Sequence, residues 1–359
     1  MHTRLVKPLA SLSLVWCLAF WLPPRAVAWG GEGHRIIAQI ALWRLRQQQA
    51  ANDAEAALAL QQITQILASQ PESEMAFKPR TIEEAALWPD RVRRRVAEYN
   101  FANNLHFVSI LLDANVDQDK FDRATQCQTM AAVPEGNCVV GALEHFQKVL
   151  AAPDSSRKAR LEALSFVVHF LGDLHQPLHT AEDAAFMNGQ GDRGGNNRRV
   201  FYLNRQLFND ARPRSCFDDR KVCIDFFGTA RASKNLHAAW DKYMLLTEMA
   251  INERRRTEPK YVADLVRSLP ANPNAPRYAE IESGNVVEWA EQAHDLAEKN
   301  AYRLTGPKTK VSPADGNEHG FYLVSKTYRT NNIRIVDRQL LNAGIRLAAF
   351  LKQSFANNP

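Results

Sequence analysis

Eight long segments of the chain place apolar residues at a spacing near 3.6, and this helical period limits the fold more than any other feature. They are residues 34–48, 54–68, 83–96, 139–151, 157–176, 234–249, 288–302 and 332–355. Residues 199–203, with a Val-Phe-Tyr centre, favour a strand, which we expect to form half of a small β-hairpin between helices. The sequence therefore predicts a mainly α fold.

The stretches between these segments are polar or contain Gly and Pro, and we predict surface loops there. They are residues 70–80, 113–137, 181–197, 203–230, 268–280 and 303–320. None is long or biased enough to be a domain linker, and the sequence has no repeat at a fixed period. We therefore expect a single domain over residues 29–359.

The first 28 residues have the three-part pattern of a cleavable secretory signal. Arg4 and Lys7 precede an apolar run over residues 9–22, and the stretch closes on small residues at 26–28. The apolar run is too short for a membrane-spanning helix of about 20 residues. We predict cleavage before Trp29 and a secreted or periplasmic chain without a membrane anchor.

Charge and cysteine content narrow the possibilities for the mature chain. Cleavage removes three basic residues and no acidic one, so the formal charge falls from +6 to +3 and gives no electrostatic argument for nucleic acid. The four remaining cysteines favour disulfides in an exported protein, with four unpaired thiols as the alternative. Local spacing favours Cys127 with Cys138 and Cys216 with Cys223, while crossed pairing between the two regions is also compatible with the sequence.

The segment from His169 to His179 carries the strongest chemical signal. His169 and Asp173 are four residues apart on a predicted helix and therefore share one face. Pro177 ends that helix, so His179 can turn back toward the same cavity. One such pair is more often a surface pair than a metal site, so a second observation is needed.

A second pair at the same spacing, His237 and Asp241, lies on another predicted helix. Imidazole and carboxylate directed toward a core suit Zn²⁺, whereas Mg²⁺ and Ca²⁺ favour oxygen ligands alone. Asp90 and His106 add a further carboxylate and imidazole, although each is also compatible with a turn aspartate or a core histidine. The sequence therefore predicts a zinc site.

These residues fall into blocks that resemble those of the trinuclear-zinc single-strand nucleases, the nuclease S-one/P-one family that includes mung bean nuclease. The family begins its mature chain with tryptophan, followed five residues later by histidine, as Trp29 and His34 stand here. The later blocks follow in the family's order at residues 88–90, 105–107, 169–179, 194–196 and 236–241. The resemblance implies a multi-helix domain of the phospholipase C and nuclease P-one type.

The resemblance also implies three zinc ions, bound by imidazoles, carboxylates and the new N-terminus. The first ligand set is Asp90, His106, His169 and Asp173. The second set is His179, His237 and Asp241. The third set is the Trp29 amine and carbonyl, His34 and a shared Asp173. An amide nitrogen in an uncleaved precursor has no free lone pair, so signal cleavage is expected to complete this third set.

By the same resemblance, the chain hydrolyses single-stranded DNA and RNA to 5′-phosphorylated products and has 3′-nucleotidase activity. Asp90 and Asp173 match catalytic metal ligands, and Arg93 matches an arginine that holds a ligand carboxylate or phosphate, although a solvated basic face also fits Arg93. Phe107 and Asn196 match substrate-binding positions, with ordinary core packing as the alternative for Phe107. The substrates are expected to be single-stranded nucleic acid and nucleotides, and the protein a monomer.

Two other classes of protein fit part of the pattern. A zinc phospholipase C of the same fold also begins with tryptophan, but the position of His34 and the aspartate at Asp241 favour the nuclease. A non-enzymatic zinc-binding protein would have no reason to keep a complete ligand set. We assign surface or packing roles to the remaining histidines of the mature chain, His145, His175, His294 and His319.

Overall fold

The computed structural model describes residues 29–68, 75–112, 120–198, 200–202, 235–250, 257–304, 309–311 and 319–356. The predictions for the signal segment and for Cys216 and Cys223 lie outside these residues. Among the described residues, no helix is both long enough and apolar enough to cross a membrane.

The described part of the chain is mainly helical, as predicted. Its α-helices are α1 Gly31–Ala50, α2 Ala54–Ala68, α3 Ile82–Ala85, α4 Trp88–Val92, α5 Arg123–Gln126, α6 Val139–Ala151, α7 Arg157–Leu174, α8 Phe186–Gly189, α9 Leu236–Ala238, α10 Met244–Ala250, α11 Glu258–Val266, α12 Pro276–Glu282, α13 Val286–Leu296 and α14 Lys326–Phe355. The 3₁₀ helices are Ala97–Asn104 and Pro177–His179, and π-helical turns occupy Ala239–Tyr243 and Ala297–Ala301.

The long C-terminal helix α14 packs closely against α1, and this pair forms much of the core. A Cβ at Gly344 would lie 2.4 Å from Cγ2 of Ile40, so only glycine permits this approach of the two helices. Ile40 and its neighbours Ile36 and Ile37 on α1 are all fully buried. The apolar period of both segments therefore predicted a real interface.

Helix α7 begins and ends where its sequence indicates. The Ser156 hydroxyl accepts a hydrogen bond from the Ala159 amide at 3.1 Å, which satisfies one of the unpaired N–H groups of the first turn. The helix ends at Leu174, and Pro177 starts the 3₁₀ turn that carries His179. The predicted end of the helix before Pro177 is thus confirmed.

The prediction of one continuous helix over residues 83–96 is wrong. Thr81 caps a single turn, α3, and a second short helix, α4, has Pro89 in its first turn, where a missing N–H costs least. Because the proline ring clashes with the preceding turn, α3 cannot continue into α4. Asp90 consequently lies near the start of its own short helix.

A small sheet accounts for the strand prediction and corrects its pairing. Val200–Tyr202 forms β1, but its partner is the distant strand β3, His319–Val324, in parallel. β3 also pairs with β2, Thr309–Val311, in an antiparallel arrangement. The stretch 303–320, predicted to be a loop, contains β2 and the first two residues of β3. Alternation in a short segment indicates a strand but does not identify a partner so far along the chain.

Four α-helices of the described residues were not predicted: α5, α8 and α12 begin inside the stretches 113–137, 181–197 and 268–280 that were assigned to loops, and α11 lies outside the predicted segments. The two longest are α11 and α12. Each buries one tyrosine, Tyr261 on α11 and Tyr278 on α12, and the Tyr278 ring receives the guanidinium of Arg44 at 3.7 Å. Tertiary packing of these two aromatic side chains supports helices that are too short to be stable alone.

Candidate metal centre

The candidate ligands come from separate elements that meet around the C-terminal end of α7. Helix α7 provides His169 and Asp173, and the following turn provides His179. The other side chains lie on α1, on α4, just after the first 3₁₀ helix, on α9 and on the π turn that follows it: His34, Asp90, His106, His237 and Asp241. The five imidazoles and the carboxylates of Asp173 and Asp241 are each at most 4% exposed.

The first cluster is centred on Asp173. Its Oδ2 lies 2.8 Å from Nδ1 of His106 and 3.3 Å from Nε2 of His169, and these two imidazole nitrogens are 3.0 Å apart. The other oxygen, Oδ1, lies 3.3 Å from Nε2 of His34. The two carboxylate oxygens thus face different imidazoles, as a carboxylate that contacts two metal ions would require.

Several polar atoms of this cluster are buried without a hydrogen-bond partner. They are both ring nitrogens of His34, Nε2 of His106 and Oδ1 of Asp173. The ring of His34 stacks on that of His169 with 4.0 Å between centroids, which helps to hold it in place. Buried polar atoms are normally satisfied, so this concentration of unpaired atoms favours a bound cation.

The second cluster contains His179, His237 and Asp241. Nδ1 of His179 donates to the His106 carbonyl at 2.6 Å, and Nδ1 of His237 donates to the Gly194 carbonyl at 2.7 Å. Both Nε2 atoms therefore present lone pairs, and they lie only 3.0 Å apart. Two facing lone pairs in a buried site repel each other unless a cation lies between them.

His169 has the same arrangement in the first cluster. Its Nδ1 donates to the carbonyl of Ala86 at 2.6 Å, which directs Nε2 toward Asp173. Metal-binding imidazoles usually donate their other N–H to a carbonyl or a carboxylate, which sets the tautomer. Three imidazoles of the centre meet this condition, and the donor set of nitrogen and carboxylate oxygen fits zinc.

Burial sets the protonation of the centre. It lowers the pKa of His34 to about 4 and the pKa values of His106 and His237 to about 3, which keeps these imidazoles neutral and able to bind a metal. Burial also raises the pKa of Asp241 well above its ordinary value, so this carboxyl needs a nearby cation to ionise. For Asp173, burial is outweighed by His169 and the other imidazoles, and its pKa lies well below the ordinary value.

Asp90 reaches the centre from α4 and is paired with Arg93. The Arg93 guanidinium lies 2.6 Å from Oδ1 of Asp90, and Arg93 is buried. Burial raises the pKa of Asp90, but the charges of His169 and Arg93 lower it. The net shift of this pKa is downward. The alternative that Arg93 belongs to a solvated basic face is therefore wrong.

Among the residues that the structure describes, three groups of side chains have ligand atoms within 4.8 Å of one another and could each hold a metal ion. The groups are His34, His169 and Asp173; Asp90, His106 and His169; and His179, His237 and Asp241. His169 therefore belongs to two of the groups, whereas the sequence analysis expected only Asp173 to be shared between two metal ions. Every side-chain ligand predicted from the sequence belongs to at least one group.

Two residues that support the centre had not been assigned roles. The Gln176 side-chain amide donates to Oδ1 of Asp241, and its oxygen accepts from the Leu178 amide at 2.5 Å. The Gly194 carbonyl orients His237. Gly194 has a φ of +60°, and a Cβ on this residue would lie 2.3 Å from the Leu178 carbonyl oxygen. Gln176 and Gly194 lie in the sequence blocks 169–179 and 194–196, and this position could have indicated their roles.

Trp29, Phe107 and Asn196 occupy different environments. Trp29 is fully buried, and the next amide, Gly30, donates to the Asp241 carbonyl at 2.8 Å. Phe107 is 42% exposed and follows the candidate ligand His106, so ordinary core packing is wrong for it. The Asn196 amide donates to the Arg193 carbonyl at 2.8 Å.

The disulfide and His175 have structural roles among the remaining polar features of the sequence analysis. Cys127 and Cys138 form a disulfide, as their spacing favoured. His175 is buried between the Leu171 carbonyl, to which its Nδ1 donates at 2.8 Å, and Arg346, which donates to its Nε2 at 3.0 Å. His145, His294 and His319 lie on α6, α13 and β3.

Fold and site together define a mainly helical protein with buried clusters of side chains that could bind metal ions. A family model described as S1/P1 Nuclease matches residues 29–356. The chain is 27% identical over 354 residues to Endonuclease 2 of Arabidopsis thaliana, which covers 95% of this chain and 94% of that protein. It is 24% identical over 340 residues to Nuclease P1 of Penicillium citrinum, covering 90% and 97%.

The chain belongs to the S1/P1 nuclease family. A short stretch of 52 residues is also 40% identical to Nuclease S1 of Aspergillus oryzae, covering 14% of this chain and 18% of that protein. The protein is therefore a nuclease, a hydrolase of phosphodiester bonds that acts on nucleic acid.

Proposed function

We propose that this nuclease is a zinc-dependent endonuclease that hydrolyses single-stranded DNA and RNA to 5′-phosphorylated products and also acts as a 3′-nucleotidase. The observation that carries the zinc requirement is the pair His179 and His237. Their Nε2 atoms are buried 3.0 Å apart while both Nδ1 atoms donate to carbonyls. A metal cation bound by both nitrogens would remove the repulsion between their lone pairs, which supports the proposal.

We assign three zinc ions to the ligand sets that the family resemblance implies, with Trp29 and His34 completing the third. When bound, the ions would supply Lewis-acid activation of water and neutralise charge on the phosphate. The clustering of His34, His106, His169 and Asp173 supports two neighbouring ions. The hydrogen bond from Gly30 to the Asp241 backbone supports a position of the Trp29 amine near the centre.

Cleavage of the chain before Trp29 would create the free amine that this assignment needs. The match to the family model begins at residue 29, which supports a mature chain starting there. We therefore propose that residues 1–28 are removed on export, that the nuclease works in a periplasm or outside the cell, and that it acts as a monomer.

The side chains of the chain itself would position the substrate. Arg93 offers buried positive charge beside Asp90, where a phosphate oxygen can be held. Phe107 offers an exposed aromatic face next to His106, on which an unstacked base can lie. Bases in a duplex are stacked on their neighbours, so this arrangement favours single strands. The catalytic roles then fall to Asp90, Asp173 and Arg93, with Phe107 and Asn196 binding substrate.

The test uses mature protein starting at Trp29, loaded with zinc and analysed for metal content. We expect cleavage of single-stranded DNA and RNA to 5′-phosphorylated fragments, much slower cleavage of duplex, and loss of activity with a strong chelator. Phosphatidylcholine serves as the control substrate for the phospholipase C alternative. Release of phosphocholine without nucleic acid cleavage, by protein shown to hold zinc, would refute the proposal.

A further inference from the structure

A cleft on the other side of α4 from the metal centre has features that the proposed chemistry does not use. Its volume is about 550 Å³, and its walls include Phe77, Trp88 and Arg91. Lys78, Arg80 and Arg91 are basic lining residues, and Glu84 is the acidic one. We call it the Phe77 cleft. Its charge balance favours an anionic ligand.

Phe77 itself is held in an unusual position. The ring is 43% exposed, although the preceding Met75 is buried and the Ala76 carbonyl accepts a hydrogen bond from the Trp88 indole at 2.9 Å. Its backbone has a φ of +54°, which a bulky side chain rarely adopts. Structure on both sides therefore fixes a strained backbone that presents an aromatic ring to solvent, a combination typical of binding sites.

Two arginines extend the aromatic surface. The guanidinium carbons of Arg91 and Arg95 lie 5.3 and 5.6 Å from the centre of the Phe77 ring. Both guanidinium groups lie over the ring, and such groups can contact a base that stacks there and the phosphates that flank it. Aromatic rings combined with such cations are the usual means of binding single-stranded nucleic acid without sequence preference.

The position along α4 links this cleft to the metal centre. Trp88 and Arg91 are three residues apart and line the cleft. Asp90 and Arg93, also three apart, are paired on the side of the metal ligands. Residues three apart share a helix face, so one short helix presents its two sides to two different sites.

We propose that the Phe77 cleft binds a nucleotide of the single-stranded substrate away from the cleaved bond, with a base on Phe77 and phosphates at Arg91 and Arg95. This inference rests on the proposed function, because it assumes that a single strand is the substrate. The cleft then increases affinity for long strands and has no effect on substrates too short to reach it.

Binding is measured separately from cleavage. The probe is a fluorescent 20-nucleotide single strand with charged, non-hydrolysable phosphonate linkages, titrated with zinc-loaded protein at several salt concentrations. We expect Phe77→Ala to raise Kd about tenfold, and Phe77→Tyr, which keeps the ring, to remain within about twofold of wild type. The double variant Arg91→Gln with Arg95→Gln is expected to lower the salt slope by about 0.7 per lost phosphate contact.

Controls distinguish this site from a general loss of charge or fold. Arg277→Gln changes the same charge at a residue that is 56% exposed on α12 and should leave Kd unchanged. Hydrolysis of a dinucleotide should be unaffected in Phe77→Ala. An unchanged Kd in Phe77→Ala, equal losses for dinucleotide and long strand, or competition by base-free polyphosphate as strong as by nucleic acid would overturn the inference. Failure of wild-type protein to cleave any strand would instead refute the proposed function.

Discussion

Gln176 offers the sharpest test of how the second metal cluster is built. It is fully buried, and its amide donates to Oδ1 of Asp241. The other carboxylate oxygen, Oδ2, is left facing Nε2 of His237 at 3.2 Å. Gln176 is therefore expected to hold Asp241 as a ligand through one oxygen, acting as a positioning residue without touching the metal.

Two substitutions separate the two hydrogen bonds of Gln176. Gln176→Glu keeps an oxygen that can accept from the Leu178 amide but replaces the donor that faces Asp241. Gln176→Met removes both groups at similar size. Loss of a buried hydrogen bond to a charged group costs about 1.5–3 kcal/mol. We therefore expect either variant at neutral pH to weaken the most easily lost zinc about 10- to 100-fold.

The assay is a competition for zinc against chelators of graded affinity, with elemental analysis of the folded protein at each step. Gln62→Met is the matched control, since Gln62 is 7% exposed and accepts a hydrogen bond from Arg160 at 2.9 Å on another part of the fold. It should lower stability without changing zinc affinity. Wild-type zinc affinity in Gln176→Met would show that Asp241 needs no such partner and would refute the reasoning.

Three further predictions concern the ligands themselves. One extra residue before Trp29 should remove one zinc and most activity, because a peptide nitrogen cannot replace the amine; full activity with three zincs per chain would contradict the assignment. Asp173→Asn should lose more zinc by elemental analysis than Asp241→Asn, because both oxygens of Asp173 face imidazoles; equal loss would argue against sharing. Burial lowers the pKa values of His106 and His237 from 6.5 to about 3. The fold is therefore most stable above pH 6.5, where both imidazoles are neutral, and it loses this stability as pH falls toward 3. Urea unfolding of zinc-free protein should show lower stability at pH 5 than at pH 7, by at most about 2 kcal/mol per histidine, and no difference would contradict this.

Long helices were predictable because each hides one face. The segments that became α1, α6 and α7 show a clear apolar period, and α7 in addition begins at the capping residue Ser156 and is followed by Pro177. The prediction failed over residues 83–96, where the apolar period continued through Pro89. Pro89 lacks a backbone N–H and its ring clashes with the preceding turn, so it interrupts a helix even where the apolar period continues.

Side-chain ligands were predictable for a related reason. Four-residue spacing places His169 with Asp173 and His237 with Asp241 on one helix face, and the family resemblance added Trp29 and His34. The strand at Val200–Tyr202 was also detected, but its parallel partner β3 was not. Contacts between distant parts of the chain depend on the whole fold, and local spacing carries no information about them.

The least predictable part of the centre is the set of backbone groups that orient its imidazoles. The carbonyls of Ala86, His106 and Gly194 accept from Nδ1 of His169, His179 and His237. Any residue type carries a carbonyl, so the sequence gives no sign of these three contacts except at Gly194, where the close approach to Leu178 excludes a side chain. Yet these carbonyls select the tautomers that leave Nε2 free for metal. The identity of the ligands can therefore be predicted from residue types, whereas their readiness to bind zinc follows only from how three segments fold: the residues just before α4, the end of the first 3₁₀ helix, and the loop between α8 and β1.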